Sequence, residues 1–215
     1  MNPRNRDLLA DGALRLGVAL SDEAIDFLVR FCDELMIWNS KVNLVRGGER
    51  DVVIRHVLDS IAAVPRIIEL LGASGGTIAD VGSGAGFPGI PLSIAMPDVS
   101  VTLIERSSRR ASFLNSVRLL LSNPNLTVSE SDARVHEKRY RVVVCRAFLP
   151  YASSILVMRR LLASDGTIVY YSAAIPATSD GETDLYRTVE TLDVPFLKAT
   201  RNLVVLTSRT RTSEK

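Results

Sequence analysis

The sequence predicts an α/β protein: a helical segment over residues 1–72, then a domain over residues 73–215 built on a doubly wound, mostly parallel sheet of seven strands with helices on both faces. Three observations lead there. Before Gly72 the apolar residues recur at steps of three and four, the period of a helix face. After it, short β-rich runs alternate with helical ones, the pattern of strands joined by crossover helices. The first of those runs leads into a glycine-rich turn that opens the next apolar run, the kind of junction at which α/β sheets hold ligands.

Within the helical segment, Ile25, Leu28, Val29, Cys32, Leu35 and Met36 share one face, widened by Phe27, Phe31 and Trp38; Trp38 reads as core. Ser21 is a fitting N-cap, with Asp22 and Glu23 in the first turn. Residues 38–45 read as a polar connection. A second amphipathic stretch over residues 50–71 carries Val53, Ile54, Val57, Leu58 and Ile61, and Pro65 should kink or interrupt it. Arg55 and Asp59 stand at the i,i+4 spacing of a helical ion pair. Residues 72–76 form a glycine-rich linker. Strands are then expected at 77–81, 101–104, 126–129, 141–145, 167–171, 191–194 and 203–206, and helices at about 89–96, 107–121, 151–162 and 182–187. Only a short loop separates the last two strands, which should pair as an antiparallel hairpin at the sheet edge.

Composition narrows the function classes. No apolar run approaches the roughly 18 residues that span a bilayer, and the charged start has no apolar stretch behind it to act as a secretory signal. Cys32 and Cys145, both in apolar contexts, read as buried reduced thiols of a cytoplasmic protein. With only His56 and His136 beside them, no metal centre is expected. Nothing calls for an obligate oligomer, so a monomer is expected. The net charge of +2 is made of 22 Arg against 4 Lys. Arginine forks grip phosphate and stack on bases, so the clusters Arg106/Arg109/Arg110, Arg134/Lys138/Arg139/Arg141 and Arg201/Arg209/Arg211 are compatible with an RNA partner; a GC-rich genome would produce the same bias.

The run Asp80-Val81-Gly82-Ser83-Gly84-Ala85-Gly86-Phe87-Pro88-Gly89 carries the chemistry. Residues 84–89 satisfy G-x-G-x-x-G, a dinucleotide fingerprint that is weak alone. Asp80, two residues before the first glycine, would repel a pyrophosphate but can receive the ammonium of S-adenosylmethionine, directly or through water. Glu105 closes the next strand, where a carboxylate can accept both ribose hydroxyls. Asp132-Ala133-Arg134 follows the third strand, beside an adenine in that arrangement. Arg146 leaves the fourth strand toward the crevice.

These residues resemble the glucose-inhibited division protein B family, methyltransferases that modify a guanine at N7 in small-subunit ribosomal RNA. The likeness runs from about Leu16 to Leu206. It rests on Trp38-Asn39 with Asn43-Leu44, on Arg55-His56 with Leu58-Asp59-Ser60, and on residues 80–92. It continues in Arg110 with Phe113-Leu114, in Arg146-Ala147, and in Arg201-Asn202-Leu203-Val204-Val205. The resemblance implies a Rossmann-like class I fold and S-adenosylmethionine as cofactor, held by Asp80, Gly82, Gly84, Gly86, Phe87, Glu105, Ala133, Arg134 and Arg146. It implies ribosomal RNA or the small ribosomal subunit as partner, with Asn39, Asn43, Arg55 and His56 as candidates for substrate or interface contacts. His56 alone would read as a structural histidine. Where the family has Lys-Gly after the fifth strand, this chain has Ser172-Ala173. Guanine N7 already carries a free lone pair, so the reaction needs alignment and desolvation rather than a general base; Arg146 is expected to position the base through its O6 edge. Two alternatives stay open: a family methyltransferase with another RNA or a small-molecule acceptor, and a non-catalytic RNA-binding assembly protein.

Overall fold

In the computed structural model, which describes residues 1–73 and 75–208, the strands are β1 (Thr77–Val81), β2 (Ser100–Glu105), β3 (Leu126–Glu130), β4 (Tyr140–Arg146), β5 (Leu162–Ser172), β6 (Leu185–Leu192) and β7 (Arg201–Ser208). They form one sheet in the order β3-β2-β1-β4-β5-β7-β6. Pairing is parallel from β3 through β5, and β7 runs antiparallel to both β5 and β6. The expected terminal hairpin is therefore present at the sheet edge. From β1 the chain steps outward to β2 and β3, then crosses back to lay β4 against the other side of β1. The strand order therefore reverses between β1 and β4; such a switch point is where these sheets bind ligands, at the C-terminal ends of the strands.

Alternation along the strands builds two apolar layers. Ile78, Val101, Leu103, Val142, Val144 and Val205 face a core shared with the helical segment. Ala79, Val81, Ile104, Val143, Cys145 and Val204 face the other side, covered by the helix Tyr151–Arg160 through Ile155 and Met158. Both cysteines are buried and free.

The helical segment comprises α1 (Pro3–Arg15), α2 (Asp22–Val42), α3 (Glu49–Val52), a π-helical turn (Val53–Leu58), α4 (Asp59–Ile61) and α5 (Val64–Leu71). Ser21 caps α2 as expected, accepting the Ala24 N–H at 3.1 Å. Ile25, Leu28, Phe31, Cys32 and Leu35 bury its apolar face, each burial contributing about 1.5–3 kcal/mol. Helix α2 continues through residues 38–42 of the expected connection and ends where Asn43 turns left-handed. Trp38 is half-buried against Phe113, its indole N–H on Glu34. Helix restarts at Val64 with Pro65 in its first turn, where a missing N–H costs nothing.

Two expectations need correction. Residues 182–187 are not a helix: a 3₁₀ turn at Asp180–Glu182 leads straight into β6, which spans Leu185–Leu192 rather than 191–194. Pairing with β7 overrides the local charge pattern, and Glu182 meets Arg187 across the turn at 3.3 Å. Nor does Arg55 pair with Asp59. The π-turn between them widens the helix beyond the i,i+4 register, so Arg55 bonds Asp51 at 3.0 Å and Asp59 turns inward. Ser74 of the linker and Arg209 and Arg211 of the basic tail lie outside the described residues.

Candidate active site

Between β1 and α6 (Gly89–Ala95) the chain folds back over the ends of the sheet. Gly82 and Gly84 take φ of +70° and +56°, conformations that side chains resist. The turn is tied down from below. The Gly82 N–H donates to the Ile104 carbonyl at 2.9 Å, the Gly84 N–H to Glu105 Oε2 at 3.0 Å, and the Gly89 N–H to Asp80 Oδ2 at 2.9 Å. Glu105 Oε1 accepts the Ser107 N–H at 2.8 Å. A carboxylate has about four acceptor sites, so Glu105 keeps capacity for a ligand while fixing the loop.

Asp80 is fully buried, and its Oδ1 has no hydrogen-bond partner among the described residues. Burial pushes its carboxyl up to about 7, against the Gly89 N–H that favours the charged form. Because the folded value lies above the unfolded one, this group stabilises the fold at low pH and loses that contribution as pH rises from about 4 to about 7. His56 works in the opposite sense. Burial first, then the neighbouring Arg146, lowers it to about 4, so its contribution is lost as pH falls from about 6.5 toward 4. The two slopes offset each other in mildly acidic solution. Asp80→Asn removes only the first, and should stabilise the protein by on the order of 2 kcal/mol at pH 8 and much less at pH 5. Urea denaturation at both pH values checks this; equal gains would sink it.

Two cavities, of about 750 Å³ and 300 Å³, share Gly82, Arg110 and Ala147 in their walls. The larger takes in Asn43, Arg55, His56, Gly84, Phe87 and Arg146 of the expected site, together with Tyr170, Tyr171 and Arg201. The smaller takes in Glu105, Asp132, Ala133 and Arg134. Arg134 is exposed and grips Asp132, which holds that carboxyl down at about 2. Three expected residues stand behind the walls. Asp80 lies beneath the turn, Gly86 packs toward Ile90 and Leu114, and Asn39 clamps Val45 by both its backbone N–H (2.8 Å) and its carbonyl (3.0 Å). Asn39 thus shapes the 43–46 loop that forms one rim.

A polar cluster joins the helical segment to the sheet. Arg146, at the end of β4, donates to Asp59 Oδ2 (2.9 Å), the Arg55 carbonyl (3.2 Å) and His56 Nδ1 (2.8 Å). Arg201, at the start of β7, brings Nε within 3.0 Å of Asp59 Oδ1. Phe87 lies under the cluster, stacked on His56 at 5.0 Å and with the Arg146 guanidinium 5.3 Å from its ring centre. Tyr171 donates its hydroxyl to the Ser60 carbonyl at 3.0 Å. Asp59 as the bridge, and Phe148 seated over Gly82, were not foreseen in the sequence.

An amino-acid nucleoside fits this arrangement. Gly84, with open space beside its backbone, lines the larger cavity and the Glu105 carboxylate the smaller, while the orphaned Asp80 oxygen lies buried beneath the turn between β1 and α6. The family model described as rRNA small subunit methyltransferase G matches residues 24–204. Ribosomal RNA small subunit methyltransferase G of Leptothrix cholodnii is 32% identical over 213 residues, covering 95% of this chain and 96% of that one. Its namesake in Ralstonia nicotianae is 34% identical over 210 residues, covering 94% of each. Among solved structures, magnesium protoporphyrin IX methyltransferase of Synechocystis PCC 6803 with bound SAH superposes with a TM-score of 0.58 at 13% identity, over 82% of this chain and 100% of that one. The ribosomal protein L11 methylase of Lactobacillus delbrueckii gives 0.55 at 12%, over 78% and 83%. At that identity these structures speak to the fold alone, a Rossmann-like class I methyltransferase sheet. With the match running from α2 into β7 and relatives a third identical over nearly the whole length, the chain belongs to the GidB family of small-subunit ribosomal RNA methyltransferases G.

Proposed function

We propose that the protein is an S-adenosylmethionine-dependent methyltransferase acting on N7 of a guanine in 16S ribosomal RNA, working as a cytoplasmic monomer without a metal. The observation that carries this reading is the pair of cavities that share Gly82, Arg110 and Ala147 in their walls, beside a turn anchored by Asp80 and Glu105, in a chain of this family. Glu105 would hold the ribose hydroxyls, Ala133 and Arg134 would flank the adenine, and Asp80, buried beneath the turn, would attract the ammonium through its charge. An arriving ammonium would favour the ionised form of Asp80 that burial now opposes.

When bound, S-adenosylmethionine supplies an electrophilic methyl group on a sulfonium. The chain's own residues would do the rest by placement. Phe87, His56 and Arg146 would form a wall that shields the transfer point from water, and residues 43–46, Tyr170 and Ser172 also line the larger cavity. Exposed Arg46, Arg55 and Arg110 at that mouth offer phosphate contacts. The neutral N7 lone pair needs no base, so the reaction asks the site for alignment and desolvation rather than for a proton acceptor.

Small subunits from cells lacking the modification should take up one labelled methyl group each, at a guanine located by borohydride and aniline cleavage of the 16S RNA. Absence of transfer to particles, precursor or naked RNA would overturn the reading. Transfer to another RNA or a small molecule instead would move the acceptor, as the Ser172-Ala173 departure allows.

A further inference from the structure

Resting on that reading, we infer that His56 is the residue that recognises guanine: its Nε2–H donates to the O6 of the target base, and Arg146 serves to hold His56 rather than to touch the base. The tautomer follows from geometry. Arginine carries only donors, and its Nη2 lies 2.8 Å from His56 Nδ1. Nδ1 must therefore accept, which leaves the proton of a neutral imidazole on Nε2. That nitrogen has no partner among the described residues and is not a fully buried orphan, and its residue lines the larger cavity. The ring is held on its face by Phe87. Protonation would set Nδ1–H against the Arg146 donor, consistent with the lowered pKa of about 4.

A lone donor is what this chemistry requires. An unrestrained arginine reads guanine by gripping O6 and N7 together, and so would cover the very lone pair that must react. Here Arg146 is turned away, committed to Asp59, the Arg55 carbonyl and His56. Arg201 is drawn to Asp59 in the same way. A single Nε2–H can take O6 and leave N7 free. It also opposes adenine, whose N6 amino group would bring donor against donor.

The test uses His56→Asn, whose amide can stand in for Nδ1 but has nothing at the Nε2 position, and His56→Gln, which places a donor there. After the modified guanine is mapped, small subunits are reconstituted with guanine or 2-aminopurine at that site; the latter keeps N7 and lacks O6. Wild type should prefer guanine about tenfold or more in kcat/KM. H56N should lose that preference to within about threefold, and H56Q should recover part of it. Dissociation constants for S-adenosylhomocysteine, measured by calorimetry, should stay within about threefold of wild type in both variants, which also reports their folding. Independently of turnover, the ¹⁵N imidazole spectrum of the wild-type protein should show the Nε2–H tautomer at pH 7. An Nδ1–H tautomer, or an H56N variant that keeps the guanine preference, would overturn the assignment of His56 alone. A wild-type protein that methylates no RNA would overturn the proposed function along with it.

Discussion

Replacing Asp59 with alanine is expected to lower the stability of the whole protein by about 3 kcal/mol, a Tm loss of roughly 6–12 °C for a chain of this size. Asp59 is 2% exposed and is the only carboxylate, among the described residues, that meets Arg146 and Arg201. Removing it leaves two guanidinium groups facing each other at the junction of the helical segment and the sheet. Breaking a buried pair from one side typically costs 3–5 kcal/mol. The low end applies here because both arginine side chains keep 17–18% exposure and can draw in water. The control is Asp51→Ala. Asp51 pairs with Arg55 on the surface, with half of each side chain exposed, and its loss should change stability by no more than about 0.5 kcal/mol. Equal midpoints for the two variants in thermal unfolding would show that the cluster holds nothing together. Asp59→Ala should also free Arg146 and Arg201 to swing into the larger cavity, so methyl transfer should fall further than stability alone explains.

Asp59 also shows why part of the site stayed hidden in the sequence. Its partners lie 87 and 142 positions away, on strands that approach it only once the sheet is assembled. Local spacing offered Arg55 instead, and that reading failed because the helix carries a π-turn, which no residue type in Val53–Leu58 announces. The strands were legible for the opposite reason. Runs such as Val142-Val143-Val144-Cys145 are buried on both faces of a parallel sheet, and such burial demands continuous apolar sequence. Strand β6 has the alternating, half-exposed pattern of an edge, and its charged and polar residues read locally as a helix. The partner strand decides its conformation, as β-propensity is set by cross-strand context.

The glycine turn was legible because its constraint is local. Three glycines with positive φ must be written as glycines whatever surrounds them. The aspartate before the turn and the glutamate after it were also found from position alone. What the sequence could not convey was how they act in the folded chain: Glu105 grips the Gly84 N–H, and Asp80 grips the first N–H of α6, so each carboxylate builds the loop before it meets any ligand. The same is true of Asn39, read as a contact residue and found holding the rim through Val45.

Gly82→Ala should abolish measurable S-adenosylmethionine binding while leaving the protein folded, the larger functional effect of the changes considered. The backbone there has φ +70°, where an L side chain costs about 1–2 kcal/mol. A Cβ at this position would also overlap Cδ2 of Phe148 and come within 2.9 Å of its Cγ. Phe148 follows Ala147, itself at φ +54°, so the strand-exit loop has little freedom to retreat without losing its own shape. Gly82 lies in the wall of both cavities. Any shift that relieves the clash therefore disturbs the wall that the two cavities share, where the proposed cofactor would span both. A ligand that must span both loses more than either end alone. The expected pattern is a loss of at least about a hundredfold in affinity for S-adenosylhomocysteine, about 2.7 kcal/mol, with free adenosine affected far less. Gly84→Ala supplies the contrast: its φ of +56° carries similar strain, but its Cβ meets nothing nearer than the Gly82 carbonyl at 3.7 Å. If calorimetry shows the two variants weakened alike, backbone strain alone governs the turn, and the wall the two cavities share at Gly82 has no bearing on binding.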